Sequence, residues 1–319
     1  MAADYLHNHG QFEALLRILE DQTGILAGLI EKDYWIMQVL HGLKKQNLHF
    51  ELKGGTSLSK GYGIIHRFSE DIDIHIKAPA ELKVDDDPSN NSKANIKARE
   101  LFYDWLASNI QIEGIVSVER DREFDDPTKK FRSGGIRLRY KTYTANVEGV
   151  KEGILLEAGF DTVTPNNAVT ISSWAYDRAI NTSGLEIVDN RAINIACYHP
   201  GYTFVEKLQT IATKFRQEIT DGKERPNYMR QYYDVFCLLD NQDVKNFIET
   251  PEYLEHKKIR FPKQEYDIPV AENQAFLLET GDLRKRFTER YEGTKGLYYN
   301  GQPPFDELLE RIIKFADRL

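Results

Sequence analysis

The sequence predicts an α/β (α+β) chain in two parts: an N-terminal domain in which helices mix with short strands, and a mostly helical C-terminal domain. Three observations predict it. The length of 319 residues favours two domains over one. Short β-rich runs bounded by turn residues crowd the stretch between Asn47 and Trp174. From about Tyr202 the apolar residues recur at three- and four-residue steps to the end. The change of period places the boundary near residue 200, giving domains of residues 1–199 and 200–319.

The elements follow in order. Between Gln11 and Lys45, Phe12, Leu15, Leu16, Ile18 and Leu19, then Ile30, Ile36, Val39, Leu40 and Leu43, mark two helices broken near Gly24. "NLHFELKGG" alternates apolar and polar residues into a glycine pair, the pattern of a strand entering a tight turn. Thr56 to Arg67 reads as a helix with Leu58, Tyr62 and Ile65 on one side, weakened by Gly61 and Gly63. "DIDIHIK" is a second strand. "KAPAELKVDDDPSNNSKAN" is a solvated loop, and a helix runs from Lys93 to Asn109. Four β-rich runs follow: "IEGIVSVER", "GGIRLRYKTY", "GILLEAGF" and "AVTISSW".

Composition bounds the function. A hydrophobic fraction of 41% supplies a large core, and a formal charge of −8 argues against wholesale wrapping of nucleic acid while leaving room for a local basic patch. Cys197 and Cys237 lack paired metal-ligand spacing, so they read as reduced, buried thiols. The first residues carry Asp4 and two histidines where a signal peptide needs a basic start and an apolar core, and no run approaches eighteen apolar residues. A cytoplasmic protein with no membrane partner is expected.

The chemistry concentrates between residues 53 and 77. On the strand "DIDIHIK", Asp71, Asp73, His75 and Lys77 share one face and Ile72, Ile74 and Ile76 the other, because β-residues alternate sides. Two adjacent carboxylates repel unless water or a hard cation such as Mg²⁺ offsets their charge. An isolated D-x-D is also what any sheet with one wet face carries. Ahead of it, Gly54 and Gly55 allow close backbone approach to a bound group, and a helix starting near Thr56 would turn free N–H groups toward an anion. Thr56 and Ser57 add hydroxyl donors. Strand, glycine turn, helix and acidic strand in this order can bring a triphosphate and two metal ions together for phosphoryl or nucleotidyl transfer. The lysine and Ser/Thr of a P-loop are missing, as are the kinase signatures.

"KGGTSLSK" followed by "RFSEDIDIHI" resembles the catalytic core of polymerase-β-like nucleotidyltransferases, and more narrowly the AbiEii/AbiGii toxins of bacterial toxin–antitoxin and phage-defence systems. "EKDYWIMQVL", "CYHPGYTFVEKL" and "RQYYDVFCLL" resemble further segments of that family in the expected order. The resemblance implies a nucleotidyltransferase domain with a mixed sheet and a helical C-terminal domain completing a cleft. It makes Asp71 and Asp73 ligands of two Mg²⁺ ions, and Lys53, Gly54, Gly55, Thr56 and Ser57 the phosphate-binding turn. Arg67 and Ser69 are further candidates to meet the nucleotide, with helix-end and turn roles as their plainer readings. A third carboxylate is expected on a later strand: Glu157 is the candidate, with Asp161 its rival.

In the C-terminal domain, Lys207 and Asp234 match the family's lysine and aspartate, the lysine being expected to clamp a triphosphate and the aspartate to orient that lysine or a substrate hydroxyl, with an exposed salt-bridge residue as the plainer reading of either alone. Lys214, Arg216, Lys223, Arg225 and Arg230, interleaved with Tyr228, Tyr232 and Tyr233, have the composition of an RNA-end binding patch, diluted by Glu206, Glu218, Asp221 and Glu224. The wet face of an ordinary amphipathic helix has the same composition. His66, His75 and His199 share no metal spacing, Trp35 reads as core, and Glu31 and Lys32 fit either the site or a surface pair. The implied function is transfer of a nucleoside monophosphate from an NTP to RNA, with a tRNA 3′ end as a suggested acceptor, arresting translation and growth. A neighbouring antitoxin, not necessarily in stable complex, would counter it. Two alternatives stand beside this: a transferase that modifies a protein or small molecule, and a non-catalytic nucleotide-binding module.

Overall fold

The structure, a computed structural model, describes residues 3–182, 185–279 and 281–319 and is organised on a mixed seven-stranded sheet. Its strands are β1 (Phe50–Lys53), β2 (Asp71–Ile76), β3 (Ile115–Asp121), β4 (Ser133–Tyr140), β5 (Ile154–Gly159), β6 (Asn166–Ile171) and β7 (Ala192–Tyr198), in the order β3-β4-β5-β2-β1-β7-β6. β2 runs antiparallel to β1 and parallel to β5, and β1 runs parallel to β7. This is the α+β class read from the sequence. The chain divides into two compact units, Met1–Tyr62 with Ser69–Tyr198, and Gly63–Phe68 with His199–Leu319. The short segment before Ser69 is therefore part of the helical unit.

In the first unit, helix α1 (Phe12–Thr23) ends at Gly24, whose φ of 72° is a left-handed cap that glycine adopts without strain. Helix α2 (Ala27–Lys45) is buried on nearly every side and packs against β5, β7 and α1. A helix so enclosed is expected to be apolar all round, yet Glu31, Lys32 and Asp33 lie inside it, each at most 2% exposed. Burial of charge requires partners. Glu31 accepts from the Tyr143 and Thr144 amides (2.9 and 3.2 Å), and Asp33 accepts from Lys60 Nζ (2.7 Å) and the Trp174 amide (2.9 Å). Lys32 donates to Glu70 (3.4 Å) and to the Lys151 carbonyl. Trp35 is core, at 1% exposure.

The helix read over Thr56 to Arg67 is shorter and wound differently. One turn, α3 (Gly54–Thr56), passes into a π-wound turn over Ser57–Gly61, closed by Tyr62 N–H donating to the Ser57 carbonyl (3.0 Å). Gly61 has no room for a side chain beside Cys197 Sγ, and Gly63 turns the chain away at a φ of 63°. Helix α4 (Lys93–Asn109) has the expected bounds, with Ser92 capping it by accepting from the Asn95 amide (3.3 Å). A short helix α5 (Trp174–Ile180) follows β6.

The second unit's described residues form helices and turns, apart from an isolated bridge between Arg67 and Tyr298. Helix α6 (Pro200–Asp221) starts with proline in its first turn, His199 Nδ1 accepting from the Gly201 amide (3.1 Å), and stops at Gly222 at a φ of 68°. Phe204, Val205, Leu208 and Ile211 form its buried stripe against helix α7 (Arg230–Leu238). Among the described residues no helix is long and apolar enough to cross a membrane.

Candidate active site

Strand register builds the site. On β2 the isoleucines Ile72, Ile74 and Ile76 are fully buried, while Asp71, Asp73 and His75 are half-buried on the opposite face. β1 places Lys53 opposite Asp73, and β5 places Glu157 opposite Asp73 on the other side. Neighbouring strands lie about 4.8 Å apart, so Lys53, Asp73 and Glu157 form one row across three strands. Lys53, Asp73, Glu157 and Asp161 together line a surface hollow of about 410 Å³. The carboxylates crowd one another: burial foremost, then Asp73 and Asp71, push the Glu157 carboxyl up to about 8, against the weaker pull of Lys151 and Arg137. Asp161 accepts from Lys53 Nζ at 3.0 Å.

The glycine turn meets the acidic strand directly. Gly54 has a φ of 72°, and a Cβ added there would stand 2.1 Å from Asp73 Oδ2. Only a residue without a side chain lets the backbone approach that carboxylate so closely. The hydroxyls expected to meet phosphate are otherwise engaged: Thr56 Oγ1 donates to the Asp71 carbonyl and Ser57 Oγ to the Gly54 carbonyl (3.0 Å), both side chains being fully buried. The Thr56 bond fastens the turn to β2, and the Ser57 bond closes the turn on itself. Ser69 is half-buried just ahead of β2.

Lys151, which no motif announces, and Glu70, which the motif holds beside Asp71, complete the surroundings of Asp71. Lys151 Nζ donates to both carboxylate oxygens of Asp71, at 2.8 and 3.1 Å. Glu70 accepts from the Lys151 amide at 2.8 Å. The only local signal for Lys151 is its position just before β5, and parallel pairing of β5 with β2 converts that position into contact with Asp71.

Asp71, Asp73 and Glu157 are oxygen donors of the type a hard divalent cation takes. Their crowding, visible in the raised Glu157 carboxyl, is what such a cation would relieve, and an ammonium already sits on Asp71. The donor set fits a divalent ion. Among the described residues no three His, Cys, Asp or Glu side chains already converge into a ready cage, so the carboxylates would have to draw in around the ion.

In the second unit, Asp234 is fully buried and carries two cations: Arg67 grips it in fork fashion through Nε (2.6 Å) and Nη2 (2.7 Å), and Lys207 Nζ lies at 2.9 Å. Burial opposes its ionisation, but Arg67 and then Lys207 hold its carboxyl below the ordinary range. The cluster retains one net positive charge, and Lys207 is its more exposed cation. Arg67, expected at a nucleotide or a helix end, is a buried partner of Asp234.

The proposed stacking patch is not there. Tyr228, Tyr232 and Tyr233 are at most 3% exposed; the hydroxyls of Tyr228 and Tyr232 donate to the carbonyls of Ile211 and Ala275. Arg216 pairs with Glu265 and Arg225 with Asp221. The tyrosines recur at helical spacing because they are the apolar stripe of α7 and its approach, so their rings belong to the core. Cys197 is buried and Cys237 half-buried, both free, with burial pushing each thiol up to about 12.

No curated protein matches the chain significantly. Among solved structures it is similar to an antigenic nucleotidyltransferase-like protein from Paracoccidioides brasiliensis, at 12% identity and a TM-score of 0.35, over 72% of this chain and 94% of that one. The sequence model described as nucleotidyl transferase AbiEii toxin, type IV TA system, matches residues 38–311. The match takes in the glycine turn, the acidic strand, Glu157, Lys207 and Asp234, whereas most of the Glu31–Leu40 segment lies ahead of it. Spanning most of the 319 residues, it shows that the chain belongs to the AbiEii family of nucleotidyltransferase toxins from type IV toxin–antitoxin systems.

Proposed function

We propose that this enzyme moves a nucleoside monophosphate from an NTP to a hydroxyl of RNA, with Asp71, Asp73 and Glu157 as its reacting centre. The observation that carries the reading is the contact of Gly54 with Asp73: it sets a backbone turn of the phosphate-binding kind against a carboxylate that shares a row with Glu157. Asp71 and Asp73 would hold Mg²⁺, which when bound supplies positive charge to the triphosphate and acidifies the acceptor hydroxyl. The chain's own residues do the rest. The Gly54–Gly55 turn admits the phosphates, with Lys53 beside it as a counter-charge. Glu157 in its ionised form takes the proton of the attacking hydroxyl; with the carboxyl raised to about 8, that form is fullest at alkaline pH. A bond forms from that oxygen to the α-phosphorus, the bond to the β-phosphate oxygen breaks, and pyrophosphate leaves. In the second unit Asp234 positions Lys207, whose charge is available to phosphate.

The acceptor we favour is the 3′ end of a tRNA, where an added nucleotide blocks aminoacylation and halts translation and growth. Such arrest in the cytoplasm serves phage defence. Family membership implies an antitoxin partner, and catalysis of this kind needs no stable complex with it. The test is incubation with each labelled NTP, Mg²⁺ and either total RNA or protein extract. Label in small RNA is expected; label confined to protein would overturn the RNA reading.

A further inference from the structure

The position of Lys151 carries an inference that rests on the proposed metal role of Asp71. We infer that Lys151 is a tethered cation that occupies the Asp71 carboxylate in the metal-free enzyme and competes with the divalent ion for it. Its ammonium spans both oxygens of Asp71 at 2.8 and 3.1 Å, so a metal ion taking either oxygen meets the lysine charge directly. The lysine is held in place from its backbone outward. Glu70 accepts from its amide at 2.8 Å, Lys32 donates to its carbonyl, and Lys32 also pairs with Glu70 at 3.4 Å. Adjacent residues Glu70 and Asp71 therefore grip the same lysine, one by its main chain and the other by its ammonium. The centroid of the Phe124 ring lies 4.5 Å from Nζ and adds a cation–π contact at the same position.

This arrangement solves a problem the acidic face creates. Asp71, Asp73 and Glu157 repel one another until a divalent ion arrives, and a resident ammonium offsets part of that repulsion at a cost in metal affinity. Lys151 is thus a positioning residue that sets how much divalent ion the enzyme needs.

Mn²⁺ binding to the full chain, read by the loss of free-ion electron paramagnetic resonance signal without nucleotide, tests this. K151M is expected to bind Mn²⁺ about three- to fivefold more tightly than wild type, the equivalent of removing a partly exposed ion pair, while K151R binds no more tightly than wild type. D71N should lose the site. Mn²⁺ binding that D71N leaves intact would overturn the metal role of Asp71 itself. If D71N loses binding while K151M binds no more tightly than K151R, the metal role survives and the competition is refuted.

Discussion

A methyl group on Gly54 would collide with the Asp73 carboxylate and would have to be carried at a φ of 72°, a backbone conformation that L side chains rarely adopt. G54A is therefore expected to cost about 1–3 kcal/mol of stability. By displacing Asp73 it should lower nucleotidyl transfer more than ~10-fold; a denaturant melt and a transfer assay on the same protein check both, and wild-type values in each would contradict the close approach. Glu157 makes a pH-dependent prediction. Its carboxyl is raised from 4.5 to about 8, so between those values the folded protein holds a proton that the unfolded chain has released. The stability this group contributes is complete below the lower value and is lost as pH rises through the upper one. Metal-free E157Q should match wild type in stability near pH 5 and exceed it by on the order of 1–3 kcal/mol above pH 8, and with Mg²⁺ supplied it should lose transfer activity. A stability difference that ignores pH would refute the crowding.

At the scale of elements, β2 was legible in the sequence because its period of two is local: three isoleucines buried, two aspartates and a histidine on the other face. α4 and the break at Gly24 were legible for the same reason, through a serine cap and a glycine cap. The turn after β1 was not, since a π-wound stretch ended by Gly63 keeps the apolar spacing of a helix over its first residues and then abandons it. Nor could Glu31, Lys32 and Asp33 be placed, because partners such as Thr144, Lys151 and Trp174 lie more than a hundred residues away in sequence, and Glu70 and Lys60, though nearer, also meet them only on folding. Lys151 was hidden in the same way, 80 residues from Asp71. These buried charges hold α2 in one register against the rest of its unit. D33A strands Lys60 and the Trp174 amide, and should cost about 3–5 kcal/mol in urea unfolding, whereas substitution of exposed Glu13 on α1 should stay within about 0.5 kcal/mol. In the helical unit, R67M leaves Asp234 with Lys207 as its one remaining cation and is expected to destabilise by about 3 kcal/mol.

Across the whole molecule, the ordered segments between the glycine turn and α7 revealed the family, and the family match over residues 38–311 carries the assignment as a nucleotidyltransferase toxin. Composition misled at one point. Basic residues interleaved with Tyr228, Tyr232 and Tyr233 describe both an RNA platform and an amphipathic core helix, and only burial distinguishes them. With a net charge of −8 and the tyrosines buried, an RNA acceptor would have to rely on local cations such as Lys53, Lys151 and Lys207. Association with RNA is accordingly expected to be weak and to fall with salt only as steeply as a few phosphate contacts require, which filter binding at two ionic strengths would read. The most direct measurement is the single-turnover rate of label transfer from NTP to RNA by wild type, D71N and D73N at saturating Mg²⁺. A fall of at least ~10²-fold in each variant, with folding intact by circular dichroism, is the predicted result; transfer by either variant at the wild-type rate would contradict a reacting centre built on that acidic strand.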